Sequence, residues 1–108
     1  MADRNVLFVC SNNRLRSLTA ETAFAEYPNI NVASAGLNRD SDTSVSPDLL
    51  RWADIIFVME SSHRTRLSKR FRQHLKSQRV ICLEIADRYK YMDPELVFEL
   101  KSKVGRHL

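Results

Sequence analysis

The chain contains little glycine and cysteine and no long apolar run. Its 108 residues include two Gly and two Cys. Two glycines are too few for a glycine-rich nucleotide loop, and neither a GxGxxG nor a GK[ST] motif occurs. Two cysteines do not form the disulfide framework of a small secreted protein. No apolar run reaches the roughly 18 residues of a membrane-spanning helix, and residues 1–5 do not resemble a signal peptide.

What the chain does contain is typical of one soluble domain over residues 1–108. Apolar residues make up 44% of the sequence and charged residues 28%. The length is sufficient for a hydrophobic core of its own. The net charge of +4 favours anionic substrates, although it also favours non-specific contact with nucleic acid.

The stretch with the clearest chemistry lies near the N-terminus. Residues Val6 to Val9 are apolar, which predicts a short buried strand. Cys10 follows, and then a polar loop that Arg16 and Ser17 close at the start of a helical pattern. A loop between a strand and a helix N-terminus directs several N–H groups at one spot, where the helix dipole adds positive potential. The stretch therefore predicts an oxyanion site above Cys10, and the same field favours the thiolate.

The spacing of this stretch is Cys-x5-Arg-Ser, from Cys10 to Ser17. Arg16 can direct two parallel N–H donors at phosphate oxygens, which a lysine cannot do. The Ser17 hydroxyl can donate to the sulfur. The alternative is that Cys10 is an inert buried thiol, which is a common role of cysteine.

Strands and helices are predicted to alternate along the rest of the chain. The predicted strands cover 30–33, 54–59 and 80–85, and the predicted helices cover 17–27, 47–52, 61–75 and 94–105. This order predicts an α/β fold, a single doubly wound domain with a four-stranded parallel sheet and helices on both faces. In such a sheet the active site is expected at the carboxyl ends of the strands.

The predicted helix over 61–75 is strongly basic. Seven Lys and Arg residues, and no acid, lie between Glu60 and Glu84. A solvated face explains such a run, and docking of an acidic partner, RNA or a membrane surface is the alternative. No aromatic residues interleave on that face, which argues against sequence-specific RNA reading. His63 and His74 match no metal-ligand spacing and are expected at the surface, so no metal or cofactor is predicted.

The motifs resemble those of the low-molecular-weight protein tyrosine phosphatases. Residues 6–17, followed by Leu18-Thr19-Ala20-Glu21, are similar to the N-terminal signature of that family. Ser34-Ala35-Gly36 and the run 53–59 are similar to two further segments. The resemblance, to a short bacterial-type member, implies hydrolysis of phosphate monoesters, with protein phosphotyrosine or a small aryl phosphate as substrate.

The resemblance also implies a role for each site residue. Cys10 is expected to form a phosphocysteine intermediate, Arg16 to bind the phosphate, and Asp87 to act as general acid. The expected substrate-binding residues are Ser11, Asn12, Asn13, Arg14, Leu15, Ser17 and Tyr89, the last as the first aromatic of a wall around the substrate ring.

Three further expectations concern the surroundings of the loop. Ser34 is expected to brace Asn13, and residues 37–47 are expected to form part of the substrate wall. Asn12 stands where the family has Gly, and Asn accepts left-handed geometry better than most residues. The family's Asp-Pro-Tyr-Tyr reads as residues 87–90 here, so Asp93, which precedes a proline, is the alternative acid.

Two other functions remain open at this point. An arsenate reductase of the same fold needs two cysteines besides the nucleophile, and this chain offers only Cys82. A non-catalytic module would hold a phosphorylated or acidic partner without turnover. In each case the loop is expected to bind a phosphate or sulfate ion, and a reactive thiol indicates a reducing, cytoplasmic location.

Overall fold

Strands and helices alternate along the structure, a computed structural model that describes residues 3–108. The elements are β1 (Arg4–Cys10), α1 (Arg16–Phe24), β2 (Ile30–Gly36), α2 (Pro47–Trp52), β3 (Ile55–Val58), α3 (Ser61–Phe71), β4 (Arg79–Cys82) and α4 (Pro94–Gly105). A short 3₁₀ turn over Arg72–His74 follows α3.

The four strands form one parallel sheet in the order β2-β1-β3-β4. The register pairs Cys10 with Gly36, and Val9 with Val58, which pairs in turn with Cys82. The fold class predicted from the sequence is therefore confirmed. Because all strands run the same way, the segments that follow β1, β3 and β4 meet at one edge of the sheet.

Alternate residues of the strands feed two hydrophobic cores, one on each face of the sheet. Val6 and Phe8 of β1 pack with α1 and α4 on one face. Leu7 and Val9 pack with α2 and α3 on the other face. This alternation explains why β3 and residues 6–9 of β1 are apolar throughout, as expected for parallel strands covered on both sides.

Helix ends follow the predicted signals in two places and depart from them in two others. Ser46 caps α2 and Asp93 caps α4, each with Pro as the first helical residue. Helix α1, however, ends at Phe24 instead of residue 27, and α3 ends at Phe71 instead of residue 75. In residues 3–108 no helix is long and apolar enough to cross a membrane.

Candidate active site

The loop over residues 11–15 lies at the centre of the carboxyl edge of the sheet. It joins the end of β1, which has a neighbouring strand on each side, to the start of α1. Cys10 is the last residue of β1 and is buried beneath the loop. The predicted placement of a thiol under a strand–loop–helix turn is therefore what the structure shows.

Two donors surround the sulfur of Cys10. The Asn13 backbone N–H donates to Sγ at 3.2 Å, and the Ser17 hydroxyl oxygen lies 2.9 Å from Sγ. The Ser17 hydroxyl also lies 2.9 Å from Asn13 Oδ1. Its single proton can therefore point to the carbonyl oxygen when Cys10 is a thiol, and to Sγ when Cys10 is a thiolate.

The backbone of Asn13 explains how its N–H reaches the sulfur. Asn13 has a φ of 56°, in the left-handed region, which asparagine tolerates better than most residues. Asn12, for which the sequence analysis expected left-handed geometry, does not have a positive φ. The left-handed position in this loop is thus one residue later than the sequence comparison implied.

A cavity of about 280 Å³ opens above Cys10. Its lining residues are Cys10, Ser11, Asn12, Arg14, Leu15, Arg16 and Asp87. The structure thus brings together six residues of the predicted loop and the predicted general acid. Asn13 and Ser17 are buried below the loop, where they support the sulfur instead of lining the cavity.

Arg16, the first residue of α1, is fixed by groups from two other segments. Its guanidinium donates to the Ile85 carbonyl oxygen at 2.7 Å and forms an ion pair with Glu60 at 2.7 Å. Its Nε lies 3.7 Å from an oxygen of Asp87. The hydrogen bond from Arg16 lowers the pKa of Glu60 below its ordinary value. Glu60 is therefore the anion that orients Arg16, and the sequence analysis did not identify it.

The two candidate acids occupy different environments. Asp87 lines the cavity, and its side chain is 63% exposed. Asp93 accepts the Glu95 backbone N–H at 3.0 Å as the N-cap of α4. The geometry places Asp87 in the lining of the same cavity as the thiol and gives Asp93 a structural role.

Tyr89 is not brought to the cavity. Its ring is 6% exposed and packs in the core with α4, and its hydroxyl accepts a hydrogen bond from Arg88 at 2.8 Å. The expected substrate wall at Tyr89 is therefore not present in this structure, because burial of the ring turns it away from solvent. Residues 37–47 also stay outside the cavity lining.

The segment after β2 instead braces the loop over residues 11–15 from outside. Backbone N–H groups of Leu37 and Asn38 donate to the carbonyl oxygens of Cys10 and Ser11 at 2.9 and 2.8 Å. Gly36 makes this approach possible, since a Cβ there would lie 2.8 Å from the Ser11 oxygen. The loop therefore depends on a close contact that only glycine allows.

Ser34 does not brace Asn13, in contrast to the expectation. Its hydroxyl donates to the Glu21 carboxylate on α1 at 2.6 Å. A carboxylate is the stronger acceptor, because a hydrogen bond to an ionised group exceeds a neutral one. Ser17 takes the bracing role at Asn13.

His63 was expected at the surface, and this expectation is wrong. The side chain is 1% exposed, and its Nδ1 accepts the Glu60 backbone N–H at 3.2 Å. The opposite nitrogen, Nε2, lies 3.1 Å from the Ser11 hydroxyl of the loop. Burial is the main cause that lowers the pKa of His63. The sequence signal for this role was its position three residues after Glu60, at the start of a helix.

Comparisons with known proteins give a fold and no sequence match. Neither a scan against protein-family models nor a search of curated proteins finds a match for this chain. Solved structures with the same fold include the tyrosine phosphatase Wzb from Escherichia coli K30 in complex with phosphate. It is 21% identical, with a TM-score of 0.77 over 99% of this chain and 96% of that chain.

Two further structures carry information on ligands. Wzb from Vibrio vulnificus, in complex with benzylphosphonate, is 20% identical, with a TM-score of 0.72 over 97% of this chain and 94% of that chain. A cysteine-to-serine mutant of the YwlE arginine phosphatase carries a phosphorylated active-site serine. It is 20% identical, with a TM-score of 0.74 over 96% of this chain and 95% of that chain. This chain therefore has the fold of the low-molecular-weight phosphatases.

Proposed function

We propose that this protein hydrolyses phosphate monoesters, with protein phosphotyrosine as its substrate, through a phosphocysteine intermediate on Cys10. One observation carries the proposal: the Cys10 sulfur lies under an open cavity, with the Asn13 N–H 3.2 Å away and the fixed guanidinium of Arg16 lining the same cavity. The phosphate and benzylphosphonate complexes of the two Wzb structures support binding of such a group in this fold.

In the first step the Cys10 thiolate attacks phosphorus in line with the leaving oxygen. The S–P bond forms as the P–O bond breaks, and the Asp87 carboxyl gives its proton to the leaving oxygen. Arg16 and the loop N–H groups hold the equatorial oxygens while charge redistributes. The phosphorylated active-site serine of the YwlE mutant supports a covalent intermediate in this fold.

In the second step water attacks phosphorus and the S–P bond breaks. The Asp87 carboxylate takes a proton from that water, and Cys10 leaves as the thiolate. The exposed position of Asp87 beside the cavity allows water to reach it in this role. Inorganic phosphate is then the product.

The cavity mouth favours phosphotyrosine over phosphoarginine. Arg14 lines the mouth and is exposed, so its positive charge repels a guanidinium group. Leu15 is 37% exposed and offers apolar surface to an aryl ring. Phosphoarginine is the second candidate, because a structure of the same fold is an arginine phosphatase.

The position of Cys82 argues against an arsenate reductase. Cys10 packs in the core that includes α1 and α4, whereas Cys82 packs against the core on the other face of the sheet. The register also places β3 between their strands. A disulfide needs Cα atoms within about 7 Å, so Cys82 cannot pair with Cys10 in this fold.

Turnover of p-nitrophenyl phosphate, with and without vanadate, tests the proposal. Cys10→Ser is expected to abolish turnover while phosphate binding and the melting temperature remain. Arg16→Lys is expected to lose nearly as much activity, because the point charge of a lysine does not reproduce the bidentate hydrogen bonds of a guanidinium to phosphate oxygens. Substantial turnover in Cys10→Ser contradicts the mechanism, and phosphate binding without wild-type turnover of any phosphoester identifies a binding module.

A matched pair of peptides separates the two candidate substrates. A phosphotyrosine and a phosphoarginine peptide of otherwise equal sequence are compared by kcat/KM. The wild type is expected to prefer phosphotyrosine, and Arg14→Gln is expected to narrow that preference several-fold. A preference for phosphoarginine in the wild type contradicts the substrate assignment.

A further inference from the structure

One face of α3 forms a basic hollow outside the active site. We call it the α3 hollow; its volume is about 720 Å³, and its lining residues are Arg64, Thr65, Ser68, Lys69, Arg72 and Leu75. All of these except Leu75 are exposed. The lining also includes the hydroxyl of Ser68, whereas the Thr65 hydroxyl donates to the Ser61 carbonyl oxygen at 3.3 Å.

Among residues 3–108, no ion pair joins an acidic side chain to the lining of the α3 hollow. Between Glu60 and Glu84 the sequence contains no acid. Along the described part of the chain, Lys69 and Arg72 take part in no ion pair. The Arg64 guanidinium donates to the Val80 carbonyl oxygen at 2.7 Å, which fixes its position but leaves its charge uncompensated. An anionic ligand is therefore the complementary partner.

Helix α3 begins at the candidate active site and carries most of the α3 hollow further along its length. The helix begins next to Glu60, the partner of Arg16, and Arg66 contacts the Ser11 hydroxyl of the loop at 3.5 Å. With a rise of about 1.5 Å per residue, Lys69 lies roughly 14 Å along the helix axis from Glu60. Arg72 follows three residues later, in the 3₁₀ turn after α3. An extended peptide covers that distance in about four to six residues.

We propose that the α3 hollow binds an acidic segment of the protein substrate, about four to six residues from the phosphorylated residue. The proposal rests on the proposed phosphatase function, because it places substrate at the loop. A peptide suits the surface better than RNA, since the lining contains no aromatic side chain on which a base could stack. A membrane is less suitable, because the lining lacks an exposed large apolar residue to insert.

Kinetics with two phosphotyrosine peptides test the proposal. One peptide carries Glu residues about four to six positions from the phosphotyrosine, and the other carries Gln there. Lys69→Glu/Arg72→Glu is expected to lower kcat/KM for the Glu peptide about tenfold at low salt, with less effect as salt rises. Turnover of the Gln peptide and of p-nitrophenyl phosphate is expected to stay within twofold of wild type.

A control variant separates local docking from overall charge. Lys101→Glu/Arg106→Glu makes the same change in net charge at exposed positions of α4 and just beyond its end. It is expected to leave the preference for the Glu peptide unchanged. An equal loss in this control, or no preference for Glu over Gln in the wild type, overturns the proposal.

Binding of an unphosphorylated Glu-rich peptide provides a readout that does not depend on catalysis. Fluorescence anisotropy is expected to show binding by the wild type and at least tenfold weaker binding by Lys69→Glu/Arg72→Glu. This result supports docking even if no phosphopeptide is hydrolysed. If the double variant retains peptide binding but loses binding to single-stranded RNA or to anionic vesicles, the acidic-peptide assignment is wrong.

Discussion

At the scale of single residues, three carboxylates differ in the groups that they contact, and these contacts indicate a different role for each. Glu60 is bound to Arg16 at 2.7 Å, so its charge serves to orient the guanidinium. Asp87 is 3.7 Å from the same side chain and open to solvent, so it can exchange a proton. Asp93 is occupied as a helix cap. These differences support the proposal that Asp87 is the general acid.

Asp87→Asn and Asp93→Asn are predicted to have different effects on two aryl phosphates, one with a poor leaving group and one with a good one. Loss of the general acid slows hydrolysis of the phosphate with the poor leaving group far more, because only that leaving group needs the proton. Asp87→Asn is expected to show this change in ratio. Asp93→Asn is expected to lower stability by about 0.5–2 kcal/mol and to leave the ratio unchanged. The reverse pattern makes Asp93 the acid.

Peroxide is predicted to abolish the proposed phosphatase activity with poor recovery. Leu15 stands where many members of the similar family hold a second cysteine, and Cys82 lies on the other face of the sheet from Cys10. Without a resolving thiol, the sulfenic acid proceeds to irreversible states. Activity after prolonged peroxide and then a dithiol is the measurement, with Cys82→Ser as control. Full recovery that depends on Cys82 contradicts the structure.

The sequence predicts the loop well because its geometry is local. A strand, a loop and a helix start within residues 6–17 place Cys10, Arg16 and Ser17 together with no long-range information. Tyr89 and His63 were not predicted well, since a ring of intermediate polarity can face the core or solvent. Packing against distant elements decides between the two, and a sequence pattern does not record it.

At the scale of elements, His63 connects α3 to the loop over residues 11–15. The His63 backbone N–H donates to the Glu60 carbonyl oxygen at 3.0 Å, and the His63 ring accepts the Glu60 backbone N–H at 3.2 Å, as in one half of a capping box. The other ring nitrogen faces the Ser11 hydroxyl. The ring therefore has to be neutral, because an imidazolium has no acceptor for the Glu60 N–H.

The neutral ring makes stability depend on pH in a defined direction. The folded-state pKa of His63 lies below 6.5, mainly through burial and then through Arg16. Between that pKa and 6.5 the unfolded chain binds the proton that the folded chain does not, so the free energy of unfolding falls as pH decreases. Glu60 affects the stability only at lower pH. Its pKa lies below 4.5, and its contribution to stability is lost as the pH falls through that pKa.

Melting temperatures measured from about pH 7 down to about pH 5 check this behaviour. His63→Asn is expected to flatten the decline, since asparagine can accept the Glu60 N–H but does not titrate in this range. His74→Asn is the control, because His74 is only half-buried and is expected to retain the wild-type decline. Equal flattening in both variants means that His63 is not the responsible group.

Gly36→Ala, at the end of β2, is predicted to displace the loop over residues 11–15. The new Cβ would lie 2.8 Å from the Ser11 carbonyl oxygen and would clash with the Ser41 side chain. The loop must shift, and kcat/KM is expected to fall at least about tenfold, since small misplacements are costly in catalysis. Gly105→Ala is the control, because a Cβ there meets nothing within 4 Å. It is expected to keep full activity and to gain up to about 1 kcal/mol of stability.

At the scale of the whole molecule, the parallel sheet gathers three distant segments at one edge. These segments lie at the ends of β1, β3 and β4 and comprise residues 10–17, 60–63 and 85–87. Each of them either contacts Arg16 or lines the cavity above Cys10. The order of apolar strands and helical periods predicts this architecture, since short connections and right-handed crossovers leave few alternatives. The ends of α1 and α3 were less predictable, because tertiary packing decides where the last turn unwinds.

The most direct test of the account is the identity of the phosphorylated residue during turnover. Wild-type protein is rapidly quenched under denaturing conditions while it hydrolyses p-nitrophenyl phosphate, and intact-mass and peptide mapping follow. The account predicts a mass gain of one phosphoryl group, located on Cys10, that the product phosphate alone does not reproduce. A phosphoryl group on another residue such as His63, or turnover at the wild-type rate by Cys10→Ala, would contradict it.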